Sequence, residues 1–261
     1  MKKEIERRTF IKKGVAVGAM TMLAGTALSG FASEIQGAPE EVDISVVKGR
    51  NYFENTLKAV EQLGGMKKYV TRDSRVGLLV NSPFKNYGTH VKPEIVLAAV
   101  KMCYQAGAKE ILILREEFEG YWQRSPLSKE FADEIKSLKP GWTKYISHDI
   151  PKGISLKDAS VTKDLLECDV LINISIVKDH TGTGFSCILK NMMGAAASST
   201  NLTFHLPFGK VDKLSQCIAD LNLIRNPDLC IADATEFITT KGPWGPGKIK
   251  AEKKVVAGAN R

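Results

Sequence analysis

Two periodicities alternate along this chain, and that alternation constrains its fold more than any other feature. Short apolar runs at residues 75–80, 110–114, 142–146, 169–177 and 229–237 read as strands. Stretches with helical spacing lie at 51–63, 93–105, 128–138, 158–167, 188–197 and 210–224. Pro93 in a first helical turn and Gly107 just past its end fit helix start and stop chemistry. Strand followed by helix, repeated, predicts an α/β fold: a mainly parallel sheet with helices on both faces. A chain of 261 residues, 43% hydrophobic, has the material for one large domain of this kind.

Charge separates the body from the ends. Residues 1–32 hold six basic residues against two acidic ones, and residues 241–261 hold six against one. These contribute +4 and +5 of a net +8, so the middle carries about −1. A nucleic-acid binder concentrates positive charge on its folded body, and no nucleic-acid partner is expected here. The first end has its own reading. Arg7-Arg8-Thr9-Phe10-Ile11-Lys12 resembles a twin-arginine export signal, and a Gly/Ala-rich apolar stretch without acidic residues follows it to about Phe31. That stretch, about 18 residues with four glycines, is marginal for a membrane span. The expected organisation is a signal peptide at 1–32, a linker at 33–44, an α/β domain at 45–240, and a basic tail or truncated domain end at 241–261. The expected location is periplasmic or otherwise extracytoplasmic, with the twin-arginine translocase as partner during export and no stable membrane span after cleavage. An uncleaved signal would instead anchor the protein.

Five cysteines, Cys103, Cys168, Cys187, Cys217 and Cys230, are scattered without any Cys-x-x-Cys pair. No iron–sulfur or structural zinc motif is present. Cys103, Cys217 and Cys230 fall on apolar faces and read as small buried hydrophobes.

The chemistry-bearing stretch runs from Val177 to Gly194, directly after the apolar run at 169–177. In open α/β sheets ligands bind beyond the carboxyl ends of the strands, so His180 and Lys190 stand where such a fold places its chemistry. His180 suits a general acid, a general base or a metal ligand, and equally a histidine that caps a strand end. Lys190, near the start of a predicted helix, is poorly placed for the helix dipole. It reads as a residue that holds an anion or as a nucleophile, or as a solvated helix lysine. Gly182-Thr183-Gly184 is neither a phosphate loop nor a dinucleotide fingerprint. His90 and His205, with Asp220, Asp233 and Glu236, are further candidates of lower weight. Asn191 and Gly194 allow the helix start to pack closely.

Leu171-Ile172-Asn173, Lys178, His180, Lys190-Asn191 and Gly194 together resemble the family known as domain of unknown function 362. So do residues 91–111, with Pro93-Glu94-Ile95-Val96 and Ala106-Gly107-Ala108-Lys109, and so do Asp220, residues 229–234 and Gly242-Pro243. The resemblance covers residues 75–261. Members often continue into a further Asp-Pro segment, and some carry a ferredoxin module that this sequence lacks. A second set, His180, Gly184-Phe185-Ser186 and Lys190, is similar to a segment of the nickel-pincer lactate racemases, which makes the expected fold LarA-like. That similarity implies Lys190 as the attachment point of a metal-linked, nickel-pincer-like cofactor and His180 as the catalytic or metal-ligating histidine. This sequence has Ile188-Leu189 where the racemase segment has two glycines.

The expected function is binding of a small anionic molecule or metal-linked cofactor around His180 and Lys190, with isomerase- or racemase-like action on a hydroxy or oxo acid. His180 and Lys190 are the catalytic candidates. Lys178, Gly184, Ser186, Lys190 and Asn191 are the binding candidates. The alternatives are a redox accessory to iron–sulfur partners and a non-catalytic binding protein.

Overall fold

The computed structural model describes residues 42–205 and 211–259. The expected signal and nearly all of the expected linker lie outside them. Strands β1 (Ile44–Lys48), β2 (Arg75–Val80), β3 (Glu110–Ile113), β4 (Lys139–Pro140), β7 (Val170–Ile176), β10 (Leu229–Ile238) and β11 (Ile249–Gly258) form one sheet. Its order is β1-β11-β10-β7-β2-β3-β4. The run from β10 to β4 is parallel, and β11 lies antiparallel to both β10 and β1. The mainly parallel α/β sheet expected from the sequence is therefore present.

Its centre is β7, buried along its whole length. Val170, Ile172, Ile174 and Ile176 face one apolar core together with Val76, Leu78 and Val80 of β2. Helices α1 (Tyr52–Glu61) and α2 (Pro93–Ala106) cover this face. Asn51 caps α1 by accepting the Glu54 N–H, and Gly107 ends α2 with φ +101, a left-handed turn that glycine adopts without strain. On the opposite face Leu79, Leu112, Leu114 and Leu171 pack with Met192, Leu214 and Ile218. The elements there are the one-turn α5 (Ile188–Asn191), a 3₁₀ turn at Met192–Ala195, α6 (Ser198–His205) and α7 (Val211–Leu221). Each fully buried Leu or Ile contributes about 1.5–3 kcal/mol. This second face also holds polar groups of β7, Asn173 and Ser175.

Five expectations need correction. Residues 158–167 form β6 (Asp158–Thr162) and the short α4 (Lys163–Glu167), because β6 pairs with β5 (Tyr145–Asp149) in a separate antiparallel ribbon. The strand expected at 142–146 therefore lies outside the main sheet. The helix expected at 128–138 shrinks to α3 (Ala132–Ser137). The segment expected as a basic tail contains β11, which lies inside the sheet: Val255 and Ala257 point into the core, while Lys250 and Lys254 pair with Glu252. Finally, Lys190 sits in a four-residue helix, too short to act through a helix dipole.

Candidate functional site

Three chain segments leave the carboxyl ends of parallel strands side by side. Asn81 follows β2, Arg115 follows β3, and Lys178 follows β7. After β7 the chain makes a tight hairpin, β8 (Lys178–His180) paired with β9 (Gly184–Ser186), and enters α5. The close approach of residues 240–247 holds this hairpin: the Gly242 N–H donates to Asp179 Oδ2 (2.8 Å), and a Cβ at Gly242 would lie 1.7 Å from the Asp179 carbonyl oxygen. Only glycine fits there.

The segments enclose a cavity of about 580 Å³. Lys178, Lys190, Arg115, His180, His205 and Asn81 line its polar side, and Phe84, Met193, Phe204, Leu214 and Trp244 line much of the rest. Small-molecule sites fall in this size range and share this pattern of apolar walls with a few polar groups.

The cations are its defining feature. Lys178 is 1% exposed, and its Nζ donates to the Thr89 carbonyl (2.6 Å) and to Asn81 Oδ1 (3.3 Å), 4.6 Å from the centre of the Phe84 ring. Among the described residues, half-buried Lys190 reaches only the thioether of Met193 (3.6 Å). Among the described residues, none of Lys178, Lys190 and Arg115 forms an ion pair. Burial, then the neighbouring Arg115 and Lys190, pull the Lys178 amine down to about 7. Burial and Arg115 lower Lys190 to about 8, and burial lowers Arg115 to about 10. Desolvation without a counter-charge produces these shifts, and an anion held between Arg115 and Lys178 would oppose the lowering of Lys178.

The two histidines present opposite tautomers. Nδ1 of His180 accepts the Gly182 N–H (3.0 Å), so the proton of its neutral ring is on Nε2. Burial, followed by the charges of Lys190 and Lys178, lowers His180 to about 4, which keeps it neutral. His205 bonds the Asn201 carbonyl through Nδ1 (2.7 Å); a carbonyl only accepts, so the neutral His205 ring carries a lone pair on Nε2. One ring offers a proton and the other accepts one.

This geometry revises several candidates. His180 lines the cavity as a hydrogen-bond donor, not as an Nε2 metal ligand. Among the described residues, no group of three or more His, Cys, Asp or Glu side chains is placed to hold a metal ion. The donor set does not fit a metal centre held by the protein alone. Ser186 lines the cavity, whereas Gly184 and Asn191 do not. Asn191 is buried and fully engaged: its amide donates to Asn173 Oδ1 (2.8 Å) and the Leu79 carbonyl (2.9 Å), and its oxygen accepts from Asn81 Nδ2 (3.0 Å). It ties α5 to β2 and β7, and through Asn81 it supports Lys178. The Cys187 thiol is pushed up to about 11 by burial, so it is no thiolate nucleophile. Asp220 accepts the Ser155 and Leu156 N–H groups, and Asp233 those of Lys92 and Thr235. Both carboxylates are structural. His90 is buried against Phe118 and Tyr121, outside the cavity lining. Arg115 and Asn81 were missed from the sequence. Their position one or two residues past a strand end was the available signal.

Comparison with known proteins adds three likenesses. A thylakoid-associated protein of Synechocystis sp. is 23% identical over 218 residues, covering 77% of this chain and 65% of that protein. The chain thus spans less than two thirds of the length of that relative. The apoprotein of lactate racemase from Thermoanaerobacterium thermosaccharolyticum matches with TM-score 0.47 and 14% identity, over 82% of this chain and 54% of that one. A Thermotoga maritima protein of known crystal structure matches with TM-score 0.38 and 14% identity, over 71% and 51%. The model of one family, described as Domain of unknown function (DUF362), matches residues 78–261, from β2 through β11 and across every segment that lines the cavity, and the chain belongs to that family.

Proposed function

We propose that the protein binds a small organic acid anion in the cavity beyond β2, β3 and β7. One observation carries this reading: three cationic side chains, Lys178, Lys190 and Arg115, meet at a largely apolar hollow with no carboxylate partner among the described residues. Buried charges without partners are costly, and a ligand carboxylate or phosphate would offset that cost. The apolar wall suits the body of the ligand, and a hydroxy or oxo acid suits the rest, since His180 offers a donor and His205 an acceptor. Proton transfer at such an acid, as in an isomerase, is within reach of these two rings.

Calorimetric titration of the full chain with pyruvate, L-lactate and inorganic phosphate tests the proposal. Saturable binding of at least one of them, weakened about tenfold or more in Arg115→Met, is expected. No binding of any of the three, or binding unchanged in Arg115→Met, rejects it.

The same reading makes this an exported protein. Arg7-Arg8 with Phe10-Ile11-Lys12 supports passage through the twin-arginine translocase, and residues 1–32 would be the signal. Among the described residues no helix is long and apolar enough to cross a membrane. The thylakoid association in the name of the Synechocystis relative is compatible with work in a membrane-bounded compartment. Cell fractionation of wild type and R7K/R8K tests this, with the doubly substituted chain expected to stay in the cytoplasm.

A further inference from the structure

We propose that Lys190 is a nucleophile that forms an imine with the carbonyl of a small 2-oxo acid, whose carboxylate Arg115 and Lys178 hold. The inference rests on the anion site proposed above and assigns it a substrate class and a covalent step.

The two cavity lysines differ in a way that separates their roles. Lys178 is pinned: a backbone carbonyl and an amide oxygen take its protons, and a ring face lies against it. Such an amine is an electrostatic fixture. Lys190 has no oxygen acceptor among the described residues, only the Met193 thioether, a weak one. It is nevertheless half-buried and lines the cavity. A lysine kept for structure would reach a carbonyl or a carboxylate. A lysine kept for its lone pair needs the opposite surroundings: little solvent, no acceptor, and positive charge nearby. Arg115 supplies that charge. Its guanidinium packs against Gly194, where a Cβ would lie 2.8 Å from Arg115 Cδ. Among the described residues, the charged or titratable groups that line the cavity with Lys190 are Arg115, Lys178, His180 and His205, and none of its lining is a carboxylate. Lys190 is lowered to about 8, so a useful fraction is free amine near neutral pH.

The step balances without an oxidant or reductant. The Lys190 lone pair attacks the carbonyl carbon, and the carbonyl oxygen takes up a proton to give a carbinolamine. The nitrogen then loses its protons, the oxygen leaves as one molecule of water, and a C=N bond replaces C=O. His180 Nε2–H is the donor available to the oxygen, and His205 Nε2 is the acceptor available to the nitrogen's proton. The resulting imine draws electrons from the adjacent carbon and acidifies its C–H bonds, which prepares the bound acid for proton exchange or carbon–carbon chemistry.

Reductive trapping tests the step. The full chain is incubated with pyruvate and sodium cyanoborohydride, then analysed by intact mass and peptide mapping, with acetone as a carbonyl lacking the carboxylate. One reduced adduct, mapped to Lys190 in the wild-type protein, is expected. It should be absent with acetone, absent in Lys190→Arg, and formed severalfold more slowly in Arg115→Met at pH 8 and saturating pyruvate, because without the neighbouring cation the buried amine keeps its proton more. Binding of pyruvate without an adduct, or an adduct scattered over surface lysines, overturns the imine and leaves the anion site standing, and equal labelling of Lys190 by acetone overturns the assignment of a 2-oxo acid held through its carboxylate. Failure of pyruvate to bind overturns the imine, and failure of L-lactate and phosphate to bind as well removes the anion site too. A Lys190 already modified in protein isolated from its native host also overturns the proposal, because no free amine would remain.

Discussion

The side-chain amide of Asn191 donates to Asn173 Oδ1 at 2.8 Å, joining the one-turn helix α5 to the central strand β7. The bond is buried and part of a chain that runs from Asn173 through Asn191 and Asn81 to the amine of Lys178. Asn191→Ala leaves the Asn81 amide, Asn173 Oδ1 and the Leu79 carbonyl without their partner. A loss of about 2–4 kcal/mol is expected, since each buried orphan costs about 1–3 kcal/mol and nearby backbone can relax. Urea unfolding of wild type and variant measures it. A change below about 0.5 kcal/mol would show that the network does not hold the site together.

Acid should weaken the fold through two buried imidazoles. His90 and His180 are both buried, and burial is the main cause that lowers each to about 4. In the unfolded chain each takes its proton near pH 6.5. Between those values the unfolded state binds more protons, so stability is full above about pH 6.5 and falls as pH drops toward 4. The expected loss is on the order of 2 kcal/mol for each imidazole. Chemical unfolding at pH 7 and at pH 4.5 reads it, and His90→Leu should remove about half of the difference.

Anion affinity should move the other way at alkaline pH. Lys178 and Lys190 hold their protons only up to about 7 and about 8. An anion held by Arg115 and Lys178 favours the charged Lys178 amine, so binding at pH 8 takes up a proton and affinity falls between pH 6.5 and 9. In the ligand-free fold the same depressed values make stability rise with pH from about 7 toward the ordinary lysine range. Phosphate should therefore raise Tm more at pH 6.5 than at pH 9. Calorimetry in two buffers of different ionisation enthalpy counts the protons, and zero uptake would contradict the assignment.

Gly194 should prove a functional glycine. A Cβ there meets Arg115 Cδ at 2.8 Å and Nη1 at 2.9 Å. An arginine side chain can swing aside, so Gly194→Ala should leave unfolding within about 1 kcal/mol of wild type while displacing the guanidinium. Pyruvate or phosphate affinity is expected to fall about tenfold. Loss of stability with affinity intact would instead make the position a packing constraint.

What could be read from the sequence follows what local chemistry can encode. The run at 169–177 has no alternation to hide, and β7 is where it was expected. Pro93 and Gly107 bracket α2 as capping chemistry requires. His180, Lys190, Lys178 and Ser186 reach one cavity because a single hairpin and the turn that follows carry all four. Arg115 and Asn81 come from other strands, and only the order β7-β2-β3 brings them in. Residues 158–162 lack a helical alternative strong enough to resist pairing with β5, a tertiary contact invisible in sequence. In β11 the lysines and Glu252 mask a strand whose inward side is carried by Val255 and Ala257. Asn191 was read as a ligand contact because a buried, satisfied amide and a ligand-binding one use the same residue.

Ile44 of β1 lies opposite Gly258 of β11, and β1 has no other strand partner among the described residues. Among the described residues the sheet is thus joined to its first strand by the one that comes latest in the chain. A ribosome still holding residues 249–258 would release no finished body, however long its earlier helices had been out of the exit tunnel. Any machinery that accepts only folded passengers would have to wait until residue 258 has left the tunnel.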